Sequence, residues 1–252
     1  LANAYGHRFV GNKAQNLEDA IACLQNALTI YTRQNFPTQW ANTQNNLGAA
    51  YYERIRGDHA QNLEDAIACY QNALTIFTRE DFPQGWANTQ MNLGATYSKR
   101  IWGNKAQNLE EAITCYQNAL TIRNRQDFPS YWAVTQEHLG LAYSKRILGE
   151  QVENLEKAIS YFQNALTIRT RQDFPTEWAN TQLYLGNTYL SRIRGDQAEN
   201  LEEAISCYQN ALSILTREDF PQGWVNIQMN LGVAYGKRLR GDEAQNLEDA
   251  IA

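Results

Sequence analysis

The chain is poor in residues that interrupt helices and in those that carry redox or metal chemistry. Only 5 of its 252 residues are proline, and each follows a phenylalanine: Pro37, Pro83, Pro129, Pro175 and Pro221. Prolines confined to such joints leave the segments between them open to helix. With 3 histidines, 4 cysteines and no CxxC pair, the usual zinc ligand sets are missing. No apolar run approaches the length of a membrane span, and no signal peptide is visible. Positive charge is not in excess either. A formal net charge of -5 gives no electrostatic pull toward nucleic acid or an anionic membrane. Asn-x-Ser/Thr sequons are absent, which gives an extracellular reading no support.

What is present is repetition. Trp40, Trp86, Trp132, Trp178 and Trp224 stand 46 residues apart, as do Leu47, Leu93, Leu139, Leu185 and Leu231, each followed by Gly. No insertion or deletion interrupts the period, so each copy is one supersecondary unit that buries its apolar face against its neighbours.

On a helical wheel the first half of a copy separates into two faces. Trp40, Gln44, Leu47, Gly48, Tyr51 and Ile55 share one arc, while Asn42, Asn45, Ala49, Tyr52 and Glu53 share the opposite one. This predicts an amphipathic helix A that starts at the joint proline and ends by Gly57. The second half places Leu63, Ile67, Tyr70, Leu74 and Phe77 at alternating spacings of four and three, a second helix B. Asn62 is its predicted N-cap, with Asp65 completing a capping box. The expected A helices are 38–55, 84–101, 130–147, 176–193 and 222–239; the expected B helices are 16–32, 62–78, 108–124, 154–170 and 200–216.

The run Leu47-Gly48-x2-Tyr51, then Ala66-x3-Tyr70-x2-Ala73, then Pro83, resembles the tetratricopeptide signature, a helix-turn-helix repeat normally of about 34 residues. Two extensions, one between Tyr51 and Ala66 and one between Ala73 and Leu93, account for the longer period. The chain is thus similar to long-repeat tetratricopeptide arrays of the kind found beside caspase-like peptidase or signalling ATPase domains in large bacterial proteins. The resemblance implies an all-α fold, an α-α superhelix of antiparallel helix pairs. It divides the chain into copies of about 1–36, 37–82, 83–128, 129–174, 175–220 and 221–252 within a single solenoid. Leu1-Ala2-x2-Tyr5 aligns with Leu47-Gly48-x2-Tyr51, and residue 252 falls a few residues into a B helix, so the expectation is a piece of a longer protein.

Features that suggest chemistry have structural readings. Cys23, Cys69, Cys115 and Cys207 occupy one register of helix B, which stacking holds too far apart for disulfides, so free thiols and a reducing, cytoplasmic compartment are expected. His7, His59 and His138 fall in three different registers. The pairs Glu64-Asp65, Glu110-Glu111 and Glu202-Glu203 recur in the first turn of helix B, where carboxylates suit the helix dipole. Arg56-Gly57-Asp58 recurs as Arg194-Gly195-Asp196 and Arg240-Gly241-Asp242, but other copies keep only the glycine, as Trp102-Gly103-Asn104 and Leu148-Gly149-Glu150. That marks a helix end and not an adhesion ligand. No nucleophile elbow, phosphate loop or metalloprotease motif occurs, so no enzyme, cofactor or metal is expected.

Two further series are read as structural. Gln44, Gln90, Gln136, Gln182 and Gln228 are expected to hold backbone of the lengthened connections. Arg8, Arg54, Arg100, Arg146, Arg192 and Arg238 are expected in ion pairs or carbonyl contacts.

The A-helix arc opposite the core is where copies differ, and in tetratricopeptide arrays that arc lines a concave groove. The implied partner-binding residues are Asn42, Asn45, Tyr52, Asn88, Met91, Lys99, Glu137, Leu141, Lys145, Asn180, Leu183, Asn187, Asn226, Met229 and Lys237. Amides with apolar and basic variation suit an extended protein or peptide partner. A carboxylate clamp is disfavoured: Asn46, Asn92 and Asn230 are present, but their basic companions are not in the neighbouring registers. The sequence therefore predicts a protein-interaction scaffold within a larger regulatory protein. The alternative is a structural spacer or head-to-tail self-assembly element. RNA binding is disfavoured by the acidic balance and the 46-residue period.

Overall fold

The computed structural model describes residues 12–238 and 251. The Leu1 to Tyr5 match, His7, Arg8, the end of the last expected A helix and Arg240-Gly241-Asp242 lie outside the described residues. Ten α-helices are bounded among those residues, and no strand occurs among them. The chain falls into two compact units, Leu1–Asn124 and Arg125–Ala252. The first contains α1 (Lys13–Leu28), α2 (Pro37–Glu53), α3 (His59–Leu74), α4 (Pro83–Lys99) and α5 (Lys105–Leu120). The second contains α6 (Pro129–Ser144), α7 (Gln151–Leu166), α8 (Pro175–Leu190), α9 (Gln197–Leu212) and α10 (Pro221–Lys237). The even-numbered helices are of type A and the odd-numbered ones of type B.

The A helices begin at the joint prolines, as the sequence predicts, because a first-turn nitrogen needs no hydrogen. The B helices begin three residues before the predicted positions. Asp58, and not Asn62, is the N-cap of α3, its carboxylate accepting from the Gln61 amide at 2.9 Å. Asn62 lies one turn inside, buried. Its amide donates to the Arg56 carbonyl at 2.9 Å and accepts from Arg54 Nη1 at 3.4 Å. The same latch recurs at Asn108, Asn154 and Asn200, which donate to the carbonyls of Trp102, Leu148 and Arg194. It closes over a glycine with positive φ, such as Gly57 at 80°, which a side chain would strain.

The B helices also stop earlier than predicted. At the end of α3, Thr75 turns its hydroxyl back onto the Asn72 carbonyl at 2.7 Å.

Within each hairpin the Leu-Gly pair explains itself. A Cβ on Gly48 would stand 2.8 Å from the Tyr70 ring, and one on Gly140 2.7 Å from Phe162. Glycine lets the A helix approach an aromatic ring that is almost wholly removed from water, each such burial contributing about 2–3 kcal/mol.

Neighbouring hairpins are joined by a repeated polar seam. Arg54 binds Glu18 through two bonds of 2.9 and 2.7 Å, and Arg100 binds Glu64 likewise. In the second unit Arg192 pairs with Glu156 and Arg238 with Glu202. These arginines are ion-paired as the sequence suggests. The Gln44 series is not bound to the connections as expected. Gln136 accepts from Asn164 of its own hairpin at 3.2 Å, and the buried Oε1 atoms of Gln44 and Gln90 have no protein partner. Cys69, Cys115 and Cys207 are buried thiols, and burial pushes each up to about 12.

Candidate functional site

Successive A helices touch one another within each unit: α2 with α4, and α8 with both α6 and α10. Among the described helices no pair of B helices within a unit approaches as closely, so the A helices form the inner, more tightly spaced side of each unit. The residues singled out in the sequence lie on the arc of the A helices opposite Leu47 and its counterparts.

Asn42, Asn88 and Asn226 are exposed there, with Asn180 half-buried. Asn88 accepts a hydrogen bond from the buried Arg123. Asn45, half-buried, accepts from Asn92 of the adjacent A helix at 3.4 Å. Three residues of that register lie deeper than the helical wheel implies. Met91 and Leu183 are only 7% and 8% exposed, since neighbouring helices cover a register that looks solvent-facing on one isolated helix. Glu137 is spent on an ion pair with Arg169, with side-chain exposures of 12% and 9%. Thr181 completes that pair by donating to Glu137 at 2.7 Å and accepting from Arg169 at 3.2 Å. Met229, in the same register on α10, is exposed.

Toward the A-helix C-termini the two units differ. In the first, Lys99 of α4 lies over the Tyr52 ring of α2 at 4.5 Å, and Tyr52 packs against the core cluster that contains Tyr70 and Leu93. In the second, the residues at those two registers are Ser144 and Ser191. A cleft of about 360 Å³ opens between α6 and α8, with Leu141, Phe162 and Tyr184 among its walls and Lys145 beside it. The Phe162 and Tyr184 rings stand 6.0 Å apart. The Tyr184 hydroxyl is pushed above its usual range, first by burial and then by the charge of Glu137. Asn187, which also lines the cleft, has its oxygen occupied by the Tyr208 hydroxyl at 2.9 Å and Asn230 at 2.8 Å. Lys237 lies on α10 and borders a second, smaller cavity at the turn after α8.

Sequence reasoning passed over Arg123, Arg169, Ser144, Phe162, Tyr184 and Ser191. The available signal was departure from the repeat: Tyr184 stands where other copies have Asn46, Asn92 and Asn230, and Phe162 where they have Tyr70, Tyr116 and Tyr208.

Antiparallel helix pairs that recur at a constant spacing and join through repeated seams define an all-α solenoid of helical-hairpin repeats. The tetratricopeptide repeat model matches residues 178–222, and the model for soluble NSF attachment protein, SNAP, matches residues 1–88. The chain is a tetratricopeptide-like repeat protein. Among solved structures it is similar to BtubC (BKLC) from P. vanneervenii, with 18% identity and a TM-score of 0.64 over 93% of this chain and 87% of that one. It is also similar to the APC/C hetero-tetramer Cut9-Hcn1, with 15% identity and a TM-score of 0.54 over 94% of this chain and 40% of that one. No curated protein sequence matches it.

Proposed function

We propose that this protein is a non-enzymatic interaction module whose A-helix side forms a groove that receives a protein or peptide, as the recognition part of a larger, bacterial, cytoplasmic regulatory protein. A tetratricopeptide-like fold generally mediates protein-protein interaction. The observation that carries the groove reading is the division of labour within each copy. Residues that build the seams, such as Arg54, Arg100, Arg192 and Arg238, repeat unchanged, whereas on the opposite arc the Asn45 register changes through Met91, Glu137, Leu183 and Met229 and the Ala49 register through Leu141, Asn187 and Val233. Fixed seams preserve shape, and a varied surface supplies discrimination. Asn42 and Asn226 offer both donors and acceptors to an extended main chain. The solved neighbour Cut9-Hcn1 is a hetero-tetramer, an assembly with a protein partner.

The test is selection of binding peptides from a displayed random library, followed by affinity measurement against the variant Asn42→Glu, Asn226→Glu. Loss of at least about tenfold in affinity is expected. Selected peptides that bind the variant as tightly as the parent place recognition on another surface.

Self-association is the second reading, favoured by Val225, Met229 and Val233, which are all exposed on α10. Under that reading, light scattering shows mass rising with concentration, and the rise disappears in Met229→Lys.

A further inference from the structure

The repeat supplies its own internal control for the cleft between α6 and α8. In the first unit the corresponding place holds the Tyr52 ring, packed against the core cluster of Tyr70 and Leu93 and capped by Lys99. In the second unit Ser144 replaces that ring and Ser191 replaces that lysine, while the walls grow more apolar: Leu141 stands in the Ala49 register and Phe162 in that of Tyr70. A space of about 360 Å³ remains. The charge at its edge is also inverted, since Lys145 occupies the register of Glu53. With the Asn187 oxygen already engaged by Tyr208 and Asn230, what Asn187 offers the cleft is its amide hydrogens.

We infer that this cleft is an anchor seat for an aromatic side chain of the partner, with a carboxylate beside it in sequence; the inference rests on the groove reading above. The aromatic ring takes the place that Tyr52 holds in the first unit, packing against the partly exposed Tyr184 and Leu141, with Phe162 as the buried floor beneath them. The neighbouring carboxylate meets Lys145 and the Asn187 amide, donors with no acidic counterpart at the Glu53 register. The occupant is thus an acidic-aromatic peptide segment, and not a basic or purely aliphatic one.

The probe is a fluorescein-labelled octapeptide with one Tyr between two Asp residues and Gly-Ser flanks, followed by fluorescence anisotropy. The parent protein is expected to bind it, and Tyr→Ala in the peptide to weaken binding at least about tenfold. Ser144→Tyr, which refills the seat as the first unit does, is expected to weaken it to the same degree. Lys145→Glu is expected to weaken it about fivefold or more, with the salt dependence reduced. Ser191→Lys is the companion variant should Ser144→Tyr melt at a lower temperature than the parent. Failure of the probe to bind, or equal binding by the refilled variants, overturns the anchor. If library-selected peptides still lose affinity for Asn42→Glu, Asn226→Glu while Ser144→Tyr leaves them unaffected, the groove reading stands and the anchor alone falls.

Discussion

One register of the B-helix ends is solved in two ways. In the first unit Phe77 is buried against Ala41 and Ala73, an apolar contact with no polar group to satisfy. The next two copies, one in each unit, place a buried arginine there: Arg123, which donates to Asn88, and Arg169, with Glu137 and Thr181 supplying its partners. Leu215 returns the register to an apolar side chain. The difference teaches that the solenoid constrains volume and satisfaction at this point, not chemical type. A buried arginine is accepted where the A helix of its own copy supplies an acceptor, Asn88 for Arg123 and Glu137 for Arg169. Elsewhere no such latitude exists: the glycine beside the aromatic ring and the arginine-glutamate seam recur because each leaves no alternative geometry.

The comparison is broken most severely by removing half of the buried pair. Arg169→Leu leaves Glu137 without its partner and is expected to cost about 3–5 kcal/mol in urea-monitored unfolding. The double variant Arg169→Leu, Glu137→Leu recreates the apolar solution of Phe77 and Leu215. Its stability is expected within about 1 kcal/mol of the parent, or above it. Equal losses in the single and double variants would show that the charges carry no coupled role.

A smaller effect sharpens the other side of the comparison. Gly140→Ala places a methyl group against the Phe162 ring, 2.7 Å away if nothing moves. Overpacking there is expected to cost about 1–3 kcal/mol, read from the same unfolding curves. An unchanged midpoint would mean that the helices separate freely and the seam is soft.

The smallest effect is at the polar seam. Hydrogen bonding from Arg192 holds the Glu156 carboxyl below its ordinary 4.5. A lowered carboxyl contributes stability above the unfolded value and loses it as pH falls through the folded one. Both side chains are about one-quarter exposed, so Arg192→Gln is expected to cost no more than about 1 kcal/mol at neutral pH. The gap between variant and parent should close in acid, as pH falls through the lowered folded value and Glu156 protonates. A gap that persists in acid would point to lost packing of the arginine stem instead.

The helical register and the A-helix starts were legible because proline and the 46-residue period act at every copy. The start of helix B was not, since Asp58 and Asn62 are both good capping residues four positions apart. Only the glycine at positive φ immediately before Asp58 shows which one the turn uses. The arginine seam was foreseen in kind, though its glutamate partner lies 36 residues away and belongs to the previous hairpin. The inner side was harder to read. A helical wheel treats one helix alone, so it counts Met91 and Leu183 as outward although the array covers them. It equally misses Tyr184, whose importance comes from Ser144 one copy earlier giving up a bulky ring.

The turn latch of Asn62 spans six residues and the arginine seam spans thirty-six, both shorter than a single period. Every such tie is therefore defined by offset alone. Excising or duplicating one whole period rejoins donors to acceptors of the same kind. The array behaves as a ruler that lengthens in equal notches, and a lineage can change its reach without redesigning a single joint.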